Sequence, residues 1–175
     1  MSYDYHLIKE KPCLEEYISN SDSYVSRIIL KLRIGSNALF GSQLRYLGIQ
    51  REERLCPLCN LSVEDTLHFC SHCPALQNER QEYLSSIIES VSVLSNWGDK
   101  VLARIALGTL SDVDLMRLLL CSSNLLSFSC WNRFSIWFKL ISAQIFKHSF
   151  KTIYKMYTRR LTLVYPEGLN SNSLS

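Results

Sequence analysis

Six side chains able to bind a soft metal ion crowd into eighteen consecutive positions: Cys56, Cys59, His68, Cys70, His72 and Cys73. A Cys-x-x-Cys turn, here Cys56-Pro57-Leu58-Cys59, sets two thiolates on one side of a knuckle, where both reach one tetrahedral ion. Four soft or borderline donors around zinc close its shell and make a structural site. Spacing alone leaves the second pair of donors open: Cys70 with Cys73, His68 with His72, or His68 with Cys73. Buried thiols, disulfides and a redox pair are the competing readings. A redox Cys-x-x-Cys wants a βαβ setting, and no strand pattern precedes Cys56. The chain has seven cysteines, an odd number, and its opening Met1-Ser2-Tyr3-Asp4-Tyr5-His6 carries acid and no apolar run. Both features argue against a disulfide framework and a secretory leader. We expect one structural Zn2+ and a reducing, intracellular compartment, either nucleus or cytoplasm.

A second pattern lies near the other end. Lys147, Lys151, Lys155 and Arg159 recur every four residues, with Arg160 beside them and Phe146, Phe150 and Tyr154 at the same interval. On a helix this makes one slowly drifting basic stripe, and like charges at i,i+4 repel by a few tenths of a kcal/mol per pair. An anionic partner would relieve that cost, and a phosphate backbone would do so with salt-dependent affinity. A solvated helix face and an interfacial helix on an anionic membrane are the alternatives. The formal charge of +3 conceals this asymmetry. Residues 115–175 hold eight basic residues against Glu167 alone, whereas residues 1–114 hold eleven against fifteen acidic ones. RNA or DNA backbone is therefore the expected partner, through Lys147, Lys151, Lys155, Arg159 and Arg160.

The elements that must position these groups read as helices. The chain has 175 residues, 47% hydrophobic and 20% charged, which is ordinary globular composition. Residues 1–20 form a weakly patterned lead-in broken by Pro12. In 21–50, Tyr24, Val25, Ile28, Ile29, Leu32 and Ile34 follow a 3.6 period, and a second short helix over Leu39–Leu47 stops at Gly48. Residues 51–80 lose that period and hold the knuckle. In 81–165 helical spacing returns. One helix carries Tyr83, Leu84, Ile87, Ile88, Val91 and Leu94, and a short one closes at Gly108. Another, capped by Asp112, runs on toward Trp131, and the last spans about Asn132 to Leu163. Trp131, Trp137 and Phe138 read as core. Pro166-Glu167-Gly168 stops the last helix, and 166–175 is a disordered tail. Polar interruptions break every apolar window near the roughly 20 residues that a membrane span requires, so no span is expected. The fold class is all-α, a helical domain with a small inserted zinc knuckle.

Around the knuckle, Lys31-Leu32-Arg33-Ile34-Gly35, Leu44-Arg45, Gly48 through Arg54, Cys56-Pro57-Leu58-Cys59, Glu64-Asp65, His68-Phe69, Cys73-Pro74 and Arg80 carry a resemblance. This stretch resembles the zinc-binding C-terminal region of non-LTR (LINE-type) retrotransposon reverse transcriptases, which follows the polymerase domain in those proteins. The resemblance covers roughly residues 25–82. It implies Cys56, Cys59, His68 and Cys73 as the metal ligands, with Cys70 and His72 as bystanders. The chain departs from a complete reverse transcriptase because it has no Asp-Asp pair for polymerase metals and no endonuclease constellation. Walker A, nucleophile-elbow and dinucleotide-binding patterns are also missing.

Apolar residues are few in the 51–80 loop, so metal binding would supply its folding free energy, on the order of 10 kcal/mol in apparent terms. Glu64-Asp65 fits the start of a short helix carrying His68 inward, or a solvated acidic loop. Arg51, Arg54 and Arg80 could meet phosphates; we favour pairing with Glu52, Glu53, Glu79 or Glu82. The expected function is a non-catalytic, zinc-stabilised nucleic-acid-binding module without a small-molecule substrate. The alternative is a helical interaction or scaffold domain with a purely structural zinc.

Overall fold

A computed structural model describes residues 23–35, 47–92, 107–120 and 136–165, with isolated positions 39, 44, 45, 104 and 105. Among the described residues four α-helices carry the fold: α1 Ser23–Arg33, α2 Gln77–Ser92, α3 Asp112–Leu119 and α4 Ile136–Val164. Short 3-10 turns at Arg51–Glu53 and Pro74–Leu76 and a π turn at His68–His72 lie between α1 and α2. Among the described residues there is no strand, only an isolated antiparallel bridge between Leu55 and Val63. The all-α expectation holds.

Helix α4 is the spine. Ile145, Ser149, Thr152, Ile153, Met156 and Arg160 are buried along it, a stripe at three-, four- and one-residue steps that keeps one face inward. Helices α1, α2 and α3 all lie against this helix. From α1 come Val25, Ile28, Ile29 and Leu32, from α2 Tyr83 and Ile87, and from α3 Met116, Leu118 and Leu119. Each fully buried aliphatic side chain contributes about 1.5–3 kcal/mol of transfer free energy. One hydroxyl ties three of the helices together. Ser149 Oγ on α4 donates to Leu118 O at 3.1 Å and meets Tyr83 Oη of α2 at 2.7 Å.

Local signals explain the boundaries. Ser111, rather than the expected Asp112, caps α3 by accepting from Asp114 N at 3.2 Å, and Asp112 and Asp114 sit at the positive end of the helix. Gly48 and Gly108 have φ of 73° and 65°, so each supplies the left-handed residue that ends its turn. Helix α3 stops at Leu119, short of the expected run to Trp131; positions 121–135 lie outside the described residues, as do Leu94, the lead-in 1–20 and the tail 166–175. Trp137 and Phe138 fall within α4, but their side chains are also outside the description. No helix among the described residues is long and apolar enough to cross a membrane.

Candidate metal centre

Two structures too short to show a helical period build the site. The first is a tight hairpin. Leu55 and Val63 bridge, Cys56 N donates to Ser62 O at 2.8 Å, and Asn60 N donates to Cys56 O at 2.8 Å. Asn60 takes φ of 55°, a left-handed conformation that asparagine tolerates better than most residues. The turn so formed carries Cys56 and Cys59.

The second is the π turn. In an α-helix, residues five apart lie about 140° apart around the axis. Here Cys73 N donates to His68 O at 2.7 Å, the i→i+5 bond of a π turn, which brings His68 and Cys73 round to one side. Asp65 starts the turn: its Oδ1 accepts from His68 N at 2.8 Å, and its carbonyl accepts from Phe69 N at 2.9 Å. Pro74 opens the following 3-10 turn into α2.

The ligand atoms of Cys56, Cys59, His68 and Cys73 all lie within 4.8 Å of one another, close enough to hold a metal ion. Cys56 Sγ and Cys73 Sγ are 3.8 Å apart, and Cys59 Sγ and His68 Nε2 are 3.4 Å apart. Cys56, His68 and Cys73 are buried and Cys59 partly so. Burial lowers the His68 pKa, which favours the neutral imidazole that a ligand must be. The hydrogen bond between Cys56 and Cys73 raises the first and lowers the second, so the two sulfurs favour sharing one proton.

The other two donors of the cluster go elsewhere. Cys70 is fully buried, and burial pushes its thiol pKa well up, so it stays protonated as a small core residue. His72 is exposed and meets Asp112 Oδ2 of α3 at 2.9 Å, beside Ser71 Oγ donating to Asp112 O at 2.7 Å. The π turn is thereby fastened to the start of α3.

Charged groups surround the centre. Arg80 Nη2 donates to Cys73 O at 2.5 Å and to Gln77 Oε1 at 3.0 Å. Arg80 is buried, and its Nη1 has no hydrogen-bond partner among the described residues; burial lowers its pKa while the neighbouring Cys73 and Cys70 sulfurs oppose that. Glu64, between the two ligand pairs, is buried rather than solvated and receives a two-pronged contact from Arg160. Arg51 lies 3.8 Å from Asp65, and Arg54 donates to Ile49 O at 2.9 and 2.7 Å. The expected partners Glu52, Glu53, Glu79 and Glu82 therefore do not serve Arg51 or Arg54.

The structure divides the basic stripe of α4. Lys155 Nζ meets Glu82 at 2.6 Å, Arg159 meets the buried Glu79 at 2.6 Å, and Arg160 is turned into the core at 1% exposure. Arg160 is consequently closed to an external phosphate, because one face of α4 cannot be both core and docking surface. Lys147 and Lys151 are exposed, and neither has an acidic partner among the described residues. Sequence reasoning missed the Glu64–Arg160 pair, for which the local pattern carries no signal.

Comparison with protein-family models, curated proteins and solved structures finds no match.

Proposed function

We propose that this chain is a non-catalytic helical module that holds one structural zinc ion and binds nucleic acid through exposed basic side chains. The spacing of the four donor atoms carries the zinc reading. Around a metal with bonds of about 2.3 Å to sulfur and about 2.0 Å to nitrogen, a regular tetrahedron sets sulfur–sulfur edges near 3.8 Å and sulfur–nitrogen edges near 3.5 Å. The 3.8 Å and 3.4 Å separations match those edges. Cys56, Cys59, His68 and Cys73 would fill the shell and leave no position for water or substrate, which is the arrangement of a structural zinc site. Three thiolates around Zn2+ leave one net negative charge, and the buried guanidinium of Arg80 beside Cys73 offsets it. Of the two adjacent carboxylates, Glu64 is engaged by Arg160 and Asp65 accepts from His68 N.

The nucleic-acid part rests on Lys147 and Lys151, together with the likeness of roughly residues 25–82 to the zinc-binding C-terminal region of LINE-type reverse transcriptases. A scaffold reading has its own support, since Lys155, Arg159 and Arg160 are all held by glutamates of the same chain. Native mass spectrometry of the reduced protein tests the first part, with one zinc per chain expected and none overturning it. Fluorescence anisotropy with a labelled oligonucleotide at two salt concentrations tests the second. Salt-dependent affinity is expected, and no binding at low salt leaves the scaffold.

A further inference from the structure

The exposed cations of α4 are continued by those of α1, and the two helices meet through a pair of tyrosines. Tyr24 of α1 and Tyr154 of α4 contact edge to face, with ring centroids 6.4 Å apart and an interplanar angle of 76°. On α4, Lys147, Lys151 and Tyr154 follow one another at four- and three-residue steps, and on α1 Tyr24, Arg27 and Lys31 at three- and four-residue steps. Each set therefore lies along one face of its helix. Arg27, Lys31, Lys147 and Lys151 are exposed, and Tyr154 is 50% exposed.

The direction of the helices decides whether the two sets cluster or extend. Thr66 Oγ1 donates to Leu32 O at 3.0 Å, and Glu64, two residues before Thr66, pairs with Arg160. The C-terminal end of α1 thus lies toward Arg160 of α4, while Tyr24 lies at Tyr154. The two helices run the same way, and Lys31 leads away from the tyrosines in the direction opposite to Lys147. The order along the surface is Lys147, Lys151, the tyrosine pair, Arg27 and Lys31. At 1.5 Å per residue along each helix, with the ring contact between them, this band is about 25 Å long.

Its charge is of one sign. Its four cations are Arg27, Lys31, Lys147 and Lys151, and neither α1 nor α4 contains an aspartate or glutamate. A line of cations with an aromatic ring open at its centre is the pattern that follows a single-stranded phosphodiester chain, whose splayed bases stack while its phosphates pair. Resting on the nucleic-acid reading above, we propose that Lys147, Lys151, Tyr154, Arg27 and Lys31 form one binding surface for single-stranded nucleic acid, shared by α1 and α4.

The test uses the full, zinc-loaded chain and a fluorescent single-stranded oligouridylate of about twelve nucleotides, followed by anisotropy across a salt series. Variants are Lys31→Glu on α1, Lys147→Glu on α4, and Tyr154→Leu at the centre, each checked for helical content by circular dichroism. Lys31→Glu and Lys147→Glu are expected each to weaken binding roughly five-fold or more and to lower the salt slope by about one. Tyr154→Leu should weaken binding without changing that slope, as loss of stacking does. A Lys31→Glu protein that binds like wild type while Lys147→Glu does not overturns the shared surface and leaves nucleic-acid binding by α4 intact. Absence of binding by the wild type overturns the functional reading itself. A duplex of the same length, or vesicles rich in phosphatidylserine, that compete better than the single strand would replace the proposed occupant.

Discussion

Glu64 and Arg160 stand 96 positions apart and meet as a two-pronged ion pair whose side chains are 0% and 2% exposed, with Nε–Oε1 at 2.5 Å and Nη2–Oε2 at 2.8 Å. The pair joins the loop between the two halves of the candidate metal centre to the far end of α4. Breaking a sealed pair on one side strands a charge in low dielectric, which costs about 3–5 kcal/mol, whereas removing both partners costs much less. Arg160→Met is accordingly expected to destabilise the zinc-loaded protein by that amount, and Glu64→Leu with Arg160→Met to recover a large part of it. Urea unfolding of the two single variants and the double variant measures the coupling; strictly additive effects would refute it.

Metal binding should follow the geometry rather than the count of donors. Cys73→Ser removes a donor and is expected to abolish stoichiometric zinc. Cys70→Ser and His72→Gln alter residues outside the four-donor cluster and should keep one ion per chain. Native mass spectrometry under reducing conditions reads all three. Loss of zinc with Cys70→Ser would point to a double Cys-x-x-Cys shell instead.

Asp65 starts the π turn by accepting the His68 N–H at 2.8 Å. A cap of this kind stabilises the turn by about 1 kcal/mol. Asp65→Ala should therefore weaken zinc affinity roughly five-fold, with Asp65→Asn closer to wild type because the amide oxygen can still accept. Competition with a chromophoric chelator measures the difference. Equal affinity in all three proteins would show that the turn forms without its cap.

Ser90 Oγ and His148 Nε2 lie 2.8 Å apart where α2 meets α4. Burial, and then the charges of Lys147 and Lys151, lower the His148 pKa, with Glu89 opposing. The unfolded chain therefore takes up this proton first as pH falls. The stability that His148 contributes is complete above the ordinary imidazole value of about 6.5 and is lost as pH drops toward the lower folded value. Wild type should lose more stability between pH 7.5 and pH 5 than His148→Gln does, read as the shift in urea midpoint. Identical shifts would show that this imidazole is not linked to folding.

Short-range patterns in the sequence determined the helices and their stops. The 3.6 spacing of Val25, Ile28, Ile29 and Leu32 specifies the buried face of α1, Asp112 places the start of α3 to within one residue of its Ser111 cap, and Gly48 and Gly108 end turns because only a left-handed residue fits there. The spacing of Cys56 and Cys59 likewise marks a knuckle, since one turn brings both sulfurs to the same side. For the other two donors, the i→i+5 bond of the π turn carries His68 and Cys73 round together and leaves Cys70 in the core. Tertiary structure alone decided which charges remain available. Arg160 reads locally as one more residue of a basic stripe, but Glu64 draws it inward, and Glu79 and Glu82 take Arg159 and Lys155. Those partners come from segments remote in sequence. Local periodicity records which side of a helix a residue occupies, whereas the charge facing that side is set only when the helices dock.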